Sequence, residues 1–252
     1  MNNLGLSEST LGGHAARSMM LLEIRALIRA LPRSVSKAEF ARAVVEENLL
    51  QKPTLSSRKK SLHHLIELYG MDVTKPLFRV FWALGHDDLD SLPQLCVVCT
   101  YARDAQLRHS FGLVRMLRPG ELLSRTAMEE HLETGFPARF SPAMKKSMAQ
   151  NVNTSWTFSG HLTGKVKKFR QLPEPTPTSA AYSMLVGYLS GLRGERLLES
   201  AFGALVASSR TQLETALSFA SARGLLSFKR AAGIVEFDFS NLLTTAEMKA
   251  LQ

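Results

Sequence analysis

Three sets of residues in this chain have types and spacings that could do chemistry. Cys96-Val-Val-Cys99 has the separation of a redox dithiol. His63 and His64, with Glu67 one turn on, can place imidazole and carboxylate ligands on one helical face. Residues 134–173 hold Arg139, Lys145, Lys146, Lys165, Lys167, Lys168 and Arg170 and no acid, a concentration of cations suited to phosphate.

The first two sets lack the rest of their machinery. The dithiol spacing lies in an apolar helical run, without the aromatic and glycine context of a thioredoxin-type site, so both thiols are expected to be buried and structural. Two cysteines exclude a disulfide framework and a four-cysteine zinc site, and they suit a reducing cytoplasm. For the histidines a third protein ligand cannot be assigned, which leaves a surface pair. The sequence has no glycine-rich phosphate loop, nucleophile elbow or zinc-protease helix motif, and its carboxylates do not cluster as in a metal-dependent nuclease. A non-enzymatic protein with no cofactor and no metal is expected.

The cations are distributed unevenly. Residues 1–90 hold 12 basic and 10 acidic side chains, residues 91–172 hold 12 and 5, and residues 173–252 hold 7 and 7. The excess therefore falls in the middle of the chain, where Phe169 adds one ring able to stack on a base. A second cluster, Arg58-Lys59-Lys60, follows Ser56 and Ser57. With Ser57 as N-cap these three cations occupy a first helical turn, where the dipole disfavours them and a bound phosphate would offset the cost; with a later start they extend into water. Near the C-terminus, Arg210, Gln212, Lys229 and Arg230 can touch a phosphate backbone, but Thr211, Glu214, Thr215, Ser218 and Ser221 offer little to read base edges. Nearly sequence-blind contact with duplex DNA is the expected mode; an acidic protein surface remains open as the alternative partner.

The whole chain has 252 residues, 45% hydrophobic and 21% charged, with 31 Lys plus Arg against 22 Asp plus Glu, a net charge of +9. That suffices for a sizeable core and favours polyanionic partners. No apolar run reaches the roughly 20 residues of a membrane helix, and no basic segment with a long apolar core opens the chain, so neither membrane nor secretory leader is expected.

Helical periodicity dominates. Met20, Ile24, Leu27, Ile28 and Leu31 mark a helix stopped by Pro32. Ser36 and Glu39 form a capping box for a second, with Ala41, Val44, Val45 and Leu49 inward, and Leu62, Leu65, Ile66 and Tyr69 mark a third closed by Gly70. Residues 75–117 read as nearly continuous helix and central core. Thr126 with Glu129 suggests another capping box, and Ser141-Pro142 an N-cap with first-turn proline. Alternate prolines across residues 171–178 predict an extended connector, hence three modules: 1–70, 71–172 and 173–252.

Beyond the connector come helical patterns at 179–192, 197–207 and 209–223, closed by Gly224. The period then switches to two in Ser227–Arg230 and Ile234–Phe239, which flank Ala231-Ala232-Gly233. The expected fold is mainly α, a multi-helix N-terminal and central bundle followed by a winged-helix-like domain with one β-hairpin. Winged helices also dock proteins, so the fold alone does not establish DNA binding.

Several stretches resemble the BrxA family, the small helical component of BREX phage-resistance systems. Glu47-Asn-Leu-Leu-Gln-Lys-Pro53 followed by Ser57-Arg-Lys-Lys is similar to that family's N-terminal module. Ala181-Tyr182, Leu185, Gly187-Tyr188-Leu189, Gly194 and Leu197-Leu198 are similar to its C-terminal half, as is Ala222-Arg-Gly-Leu-Leu-Ser-Phe228 leading into Val235-Glu-Phe-Asp-Phe239. The resemblance spans about residues 20–243. It implies a DNA-binding accessory protein of a bacterial defence system with other BREX components as partners, and a helical core like the NusB-type RNA-binding fold. A protein-interaction scaffold within a defence complex and a NusB-like RNA binder are the alternatives.

Overall fold

The computed structural model describes residues 2–7, 12–231 and 233–251; Ala232, in the expected hairpin turn, lies outside them. Helix α1 (Leu21–Ala30) buries Leu21, Ile24, Leu27 and Ile28. The Ser36/Glu39 capping box opens α2 (Lys37–Ala41), which runs into a π-helical turn, Arg42–Glu46. That wider turn rotates the inward face, so Phe40, Ala43 and Val44 are buried while Ala41, Val45 and Leu49 are only partly covered.

Helix α3 (Leu55–Tyr69) starts earlier than either sequence alternative. Its N-cap is Thr54, whose side chain and that of Ser57 cap reciprocally, so Arg58, Lys59 and Lys60 fall past the first turn and carry little of the dipole penalty. Its buried stripe is Ser61, Leu65, Leu68 and Tyr69; Ile66, expected inside, is exposed. Gly70 ends it in the left-handed conformation at φ 82°, a backbone state that favours glycine.

Helices α4 (Pro76–Asp87), α5 (Leu92–Arg103) and α6 (Ala105–Met116) supply the expected central helices. Strand β1 (Leu122–Leu123) precedes α7 (Arg125–Gly135), which Ser124 caps, not Thr126; Glu129 instead pairs with Arg125 at 2.7 Å. Helix α8 (Pro142–Phe158) begins at Ser141-Pro142 as its sequence predicts. Short strands β2 (Leu162–Thr163) and β3 (Lys168–Arg170) follow, and β3 lies between β1 and β2 in an antiparallel sheet.

After an extended 171–176 come α9 (Pro177–Leu189), α10 (Glu195–Leu198), α11 (Ala201–Val206), α12 (Arg210–Ala222), the hairpin β4 (Ser227–Ala231) and β5 (Ile234–Asp238), and α13 (Thr245–Ala250). The β4–β5 register pairs Phe228 with Phe237 and Lys229 with Glu236.

Helices α5 and α9 are apolar around most of their circumference, which places a helix at the centre of a core rather than on its surface. They pack on one another, α5 also touching α1, α3, α4 and α6 and α9 touching α4, α11 and α12. The hydrophobic core is thus continuous across the proline-rich connector. The connector is stapled down: Gln94 donates to the Glu174 carbonyl at 2.6 Å and Thr178 to Asp88 at 2.7 Å. Cys96 and Cys99 are buried in this spine, free of each other, beside Tyr69 and Tyr182. Burial pushes both thiols up, Cys99 to about 11, so neither is a thiolate near neutrality.

One polar contact ties three distant stretches. The Asp104 carboxylate caps α6 by accepting from Leu107 N at 2.8 Å and also accepts from His14 N at 2.9 Å. His14 Nδ1 lies 3.0 Å from the same carboxylate, close but not aligned for a hydrogen bond. His14 Nε2 sits 2.9 Å from Ser155 Oγ on α8, which also accepts from Met19 N. Burial pushes the Asp104 carboxyl up, but the His14 ring and the His14 and Leu107 backbone N–H groups outweigh it and hold it below its ordinary value. A side chain on Gly12 would collide with this carboxylate. Removing one partner of a buried pair leaves the other uncompensated, so Asp104→Ala should cost about 3–5 kcal/mol of stability, measured by urea unfolding. A loss below about 1 kcal/mol, the scale of an exposed pair, would show that the contact does not hold these stretches together.

Candidate nucleic-acid interface

The cation-rich middle of the chain folds around the β2–β3 loop. Gly160, at φ 80°, turns the chain out of α8, and Leu162 is buried at the start of β2. Gly164 is required in the loop: its φ is 97°, and a Cβ there would collide with the Lys167 carbonyl oxygen. Lys168 donates from Nζ to the Gly164 carbonyl at 2.7 Å, which closes the loop across its neck. The tip is Lys165-Val166-Lys167, all exposed, with Val166 90% exposed. Among the described residues neither Lys165 nor Lys167 has a carboxylate within ion-pair distance.

Arg170 departs from its expected role. It is 7% exposed, and its guanidinium donates to the His161 carbonyl at 3.0 Å and to the Gln171 carbonyl, so it braces the base of the loop and is not free to hold phosphate. His161 is also buried, with Nδ1 2.9 Å from Ser159 Oγ and its ring edge-on to Trp156 and Phe111. Burial, and secondarily the Arg170 charge, lower its pKa to about 3.

Beside the loop lies a cleft of about 410 Å³. Lys165, Val166 and Lys168 form one wall, Leu123 and Arg125 another, and Gln150, Asn153 and Thr154 of α8 the third. Asn153 is 5% exposed, and among the described residues its Oδ1 has no hydrogen-bond partner. The sequence marks Lys165 and Lys168 but not the other six lining residues; Gln150, Asn153 and Thr154 recur at helical spacing as a polar stripe, which is the signal it offers. Lys146, exposed, lies one turn before Gln150 on that stripe, whereas Lys145 is paired with Glu133 at 2.8 Å.

The other expected contacts lie on different elements. On α3, Lys59 and Lys60 are exposed, but Arg58 donates to the Val45 carbonyl at 3.2 Å. In the C-terminal region Arg210 is held between Glu195 and Glu214, and Arg230 also reaches Glu214 at 3.0 Å. Gln212 accepts from Ser208 Oγ at 2.5 Å, and Lys229 stands opposite Glu236. Arg210 and Arg230 are thus neutralised within the fold, unlike Lys165 and Lys167 of the β2–β3 loop.

Two constellations carry the geometry of chemistry without its access. Ser155, His14 and Asp104 line up as nucleophile, base and carboxylate, yet all three are buried and Ser155 Oγ is committed to Met19 N and to the Asn151 carbonyl. They are 141 and 90 residues apart, so no local spacing announces them. On α3, Glu67 bridges His64 at 3.0 Å and His63 at 3.4 Å, bringing three ligand-type atoms within 4.8 Å of one another on an open surface. No helix of the described residues is long and apolar enough to cross a membrane. No family model matches this chain, and no curated protein does.

The anchoring of the loop should be pH-sensitive. The folded protein refuses a proton at His161 that the unfolded chain binds near pH 6.5, so this stability is full above 6.5 and is lost as pH falls toward about 3. The melting temperature should therefore drop between pH 6.5 and 4.5, and a His161→Phe variant should lose part of that slope even though it starts less stable. Parallel slopes in the two proteins would remove His161 as the cause.

Proposed function

We propose that this protein is a non-enzymatic DNA-binding accessory protein of a BREX-type phage defence system, acting in the cytoplasm and gripping duplex DNA mainly through phosphates. The observation that carries the reading is the β2–β3 loop: Lys165 and Lys167 stand exposed on a braced turn, with Lys168 at its neck, Lys146 exposed on α8, and, among the described residues, no ion-pairing carboxylate for the tip lysines. A cation left unpaired by the fold is free to displace counterions from phosphate. The resemblance of residues 20–243 to the BrxA family supports the same reading and supplies its biological setting.

A second reading has its own support. Helices α9–α12 with the β4–β5 hairpin follow the helix-then-hairpin order of a winged helix, Arg210 and Arg230 are paired with carboxylates, and Phe219 and Ile234 remain 60% and 64% exposed. Apolar side chains left in water beside neutralised charge suit a protein partner better than DNA. The two readings are compatible if the loop holds DNA and the C-terminal region holds another BREX component.

Binding to duplex DNA should fall steeply between roughly 50 and 200 mM salt. Lys165→Glu with Lys167→Glu should weaken it by at least about tenfold and flatten the salt slope by about two, one per phosphate contact. Lys229→Glu with Arg230→Glu should do much less. Fluorescence anisotropy on variants first shown to melt like the parent distinguishes the surfaces; a larger loss from the Lys229/Arg230 variant would move the DNA to the hairpin.

A further inference from the structure

We propose that the cleft beside the β2–β3 loop receives one unpaired nucleotide of the bound DNA; the inference rests on the DNA-binding reading above and assigns that site a ligand. A cleft of about 410 Å³ cannot admit a duplex, but it lies within the roughly 300–1,000 Å³ range of small-ligand sites. A base swung out of the stack is the part of a DNA ligand that fits.

The lining matches such a ligand in three respects. Lys165 and Lys168 line the cleft on its loop side, where Lys165 is free to meet the nucleotide's phosphate. Leu123 and Val166 provide apolar surface for the face of a base. Asn153 provides the edge-reading group: an amide carries a donor and an acceptor side by side, as the edge of a nucleobase does. It is 5% exposed, and its Oδ1 is buried without a partner. A buried unpaired acceptor is costly, and no N–H of the described residues reaches it, so a ligand bearing a donor such as the exocyclic amine of adenine would relieve that cost. An isolated anion would not, since it brings no donor to Oδ1. Gln150, one turn before, offers a second amide to the same edge.

Bases that are already unpaired are the cheapest to swing out, which predicts a preference for helical defects over intact duplex. The test uses the full chain and three labelled DNAs: a paired duplex, the same duplex with one extra unpaired adenine, and the same with an abasic residue in that position. Anisotropy at low salt should show the unpaired adenine bound about tenfold more tightly than the paired duplex, with the abasic probe showing no such gain. Asn153→Leu should abolish the gain while leaving paired-duplex affinity within about twofold. If that variant melts early, Gln150→Leu at an exposed position should reduce the gain in its place. Equal affinity for paired and unpaired probes, or a gain that survives loss of the base, overturns the inference while leaving phosphate binding intact. Failure to bind any of the three DNAs overturns the DNA-binding reading, and this inference with it.

Discussion

The carboxylate of Asp104 is the point through which the chain's distant parts are held in register. Taking an ion out of water is expensive, and the expense is offset only where several donors converge on it. Here they come from the start of α6 and from the 13–15 turn, and the same turn reaches α8 through His14 and Ser155. Asn151 adds a hydrogen bond from α8 to the His14 carbonyl at 3.1 Å. The inward face of α8 is therefore fixed by the N-terminal segment. Asn153, two residues before Ser155, inherits its position in the cleft from the same helix.

Charge on this protein is divided between cations used by the fold and cations left over. Arg58, Arg170 and Arg103 donate to backbone carbonyls, while Arg210, Arg230 and Lys145 are taken up by carboxylates. Guanidinium groups, with five donors in a planar fork, suit this bracing work better than an ammonium does. The lysines of the loop tip are left to the solvent. A net charge of +9 therefore overstates what the folded surface offers in some regions and understates how concentrated it is in one.

What was legible in the sequence was local. Ser36 with Glu39, Ser141-Pro142, Gly70 and Gly224 mark helix ends because capping and left-handed turns are decided within a few residues, and the β4–β5 hairpin shows in its strict alternation. The errors arose where neighbours compete or where contacts are long-range. Thr54 and Ser57 can both cap, and the reciprocal pair chose Thr54; Ser124 displaced Thr126 in the same way. Strands of two or three residues have no period to read, so the β1–β3–β2 sheet was invisible, and with it the cleft. The burial of Arg170 was equally hidden, because a cation in a basic run looks like its neighbours until β3 is seen to point it inward.

That small sheet explains why the cations are displayed where they are. A long flexible loop of lysines would lose conformational entropy on gripping DNA and would gather no walls for a ligand. Here β3 pairs with both neighbours, Gly164 and Lys168 close the neck, and Arg170 with His161 packs the base, so the tip is held before any ligand arrives. The alternation of β3 divides the work: Phe169 faces outward at 37% exposure while Arg170 turns in. Burying a guanidinium and a neutral histidine under a turn is justified physically if the turn must keep its shape. The polar cost of the loop's base and the exposed charge of its tip are then two sides of one arrangement, a braced turn that presents lysines to solvent next to a cleft.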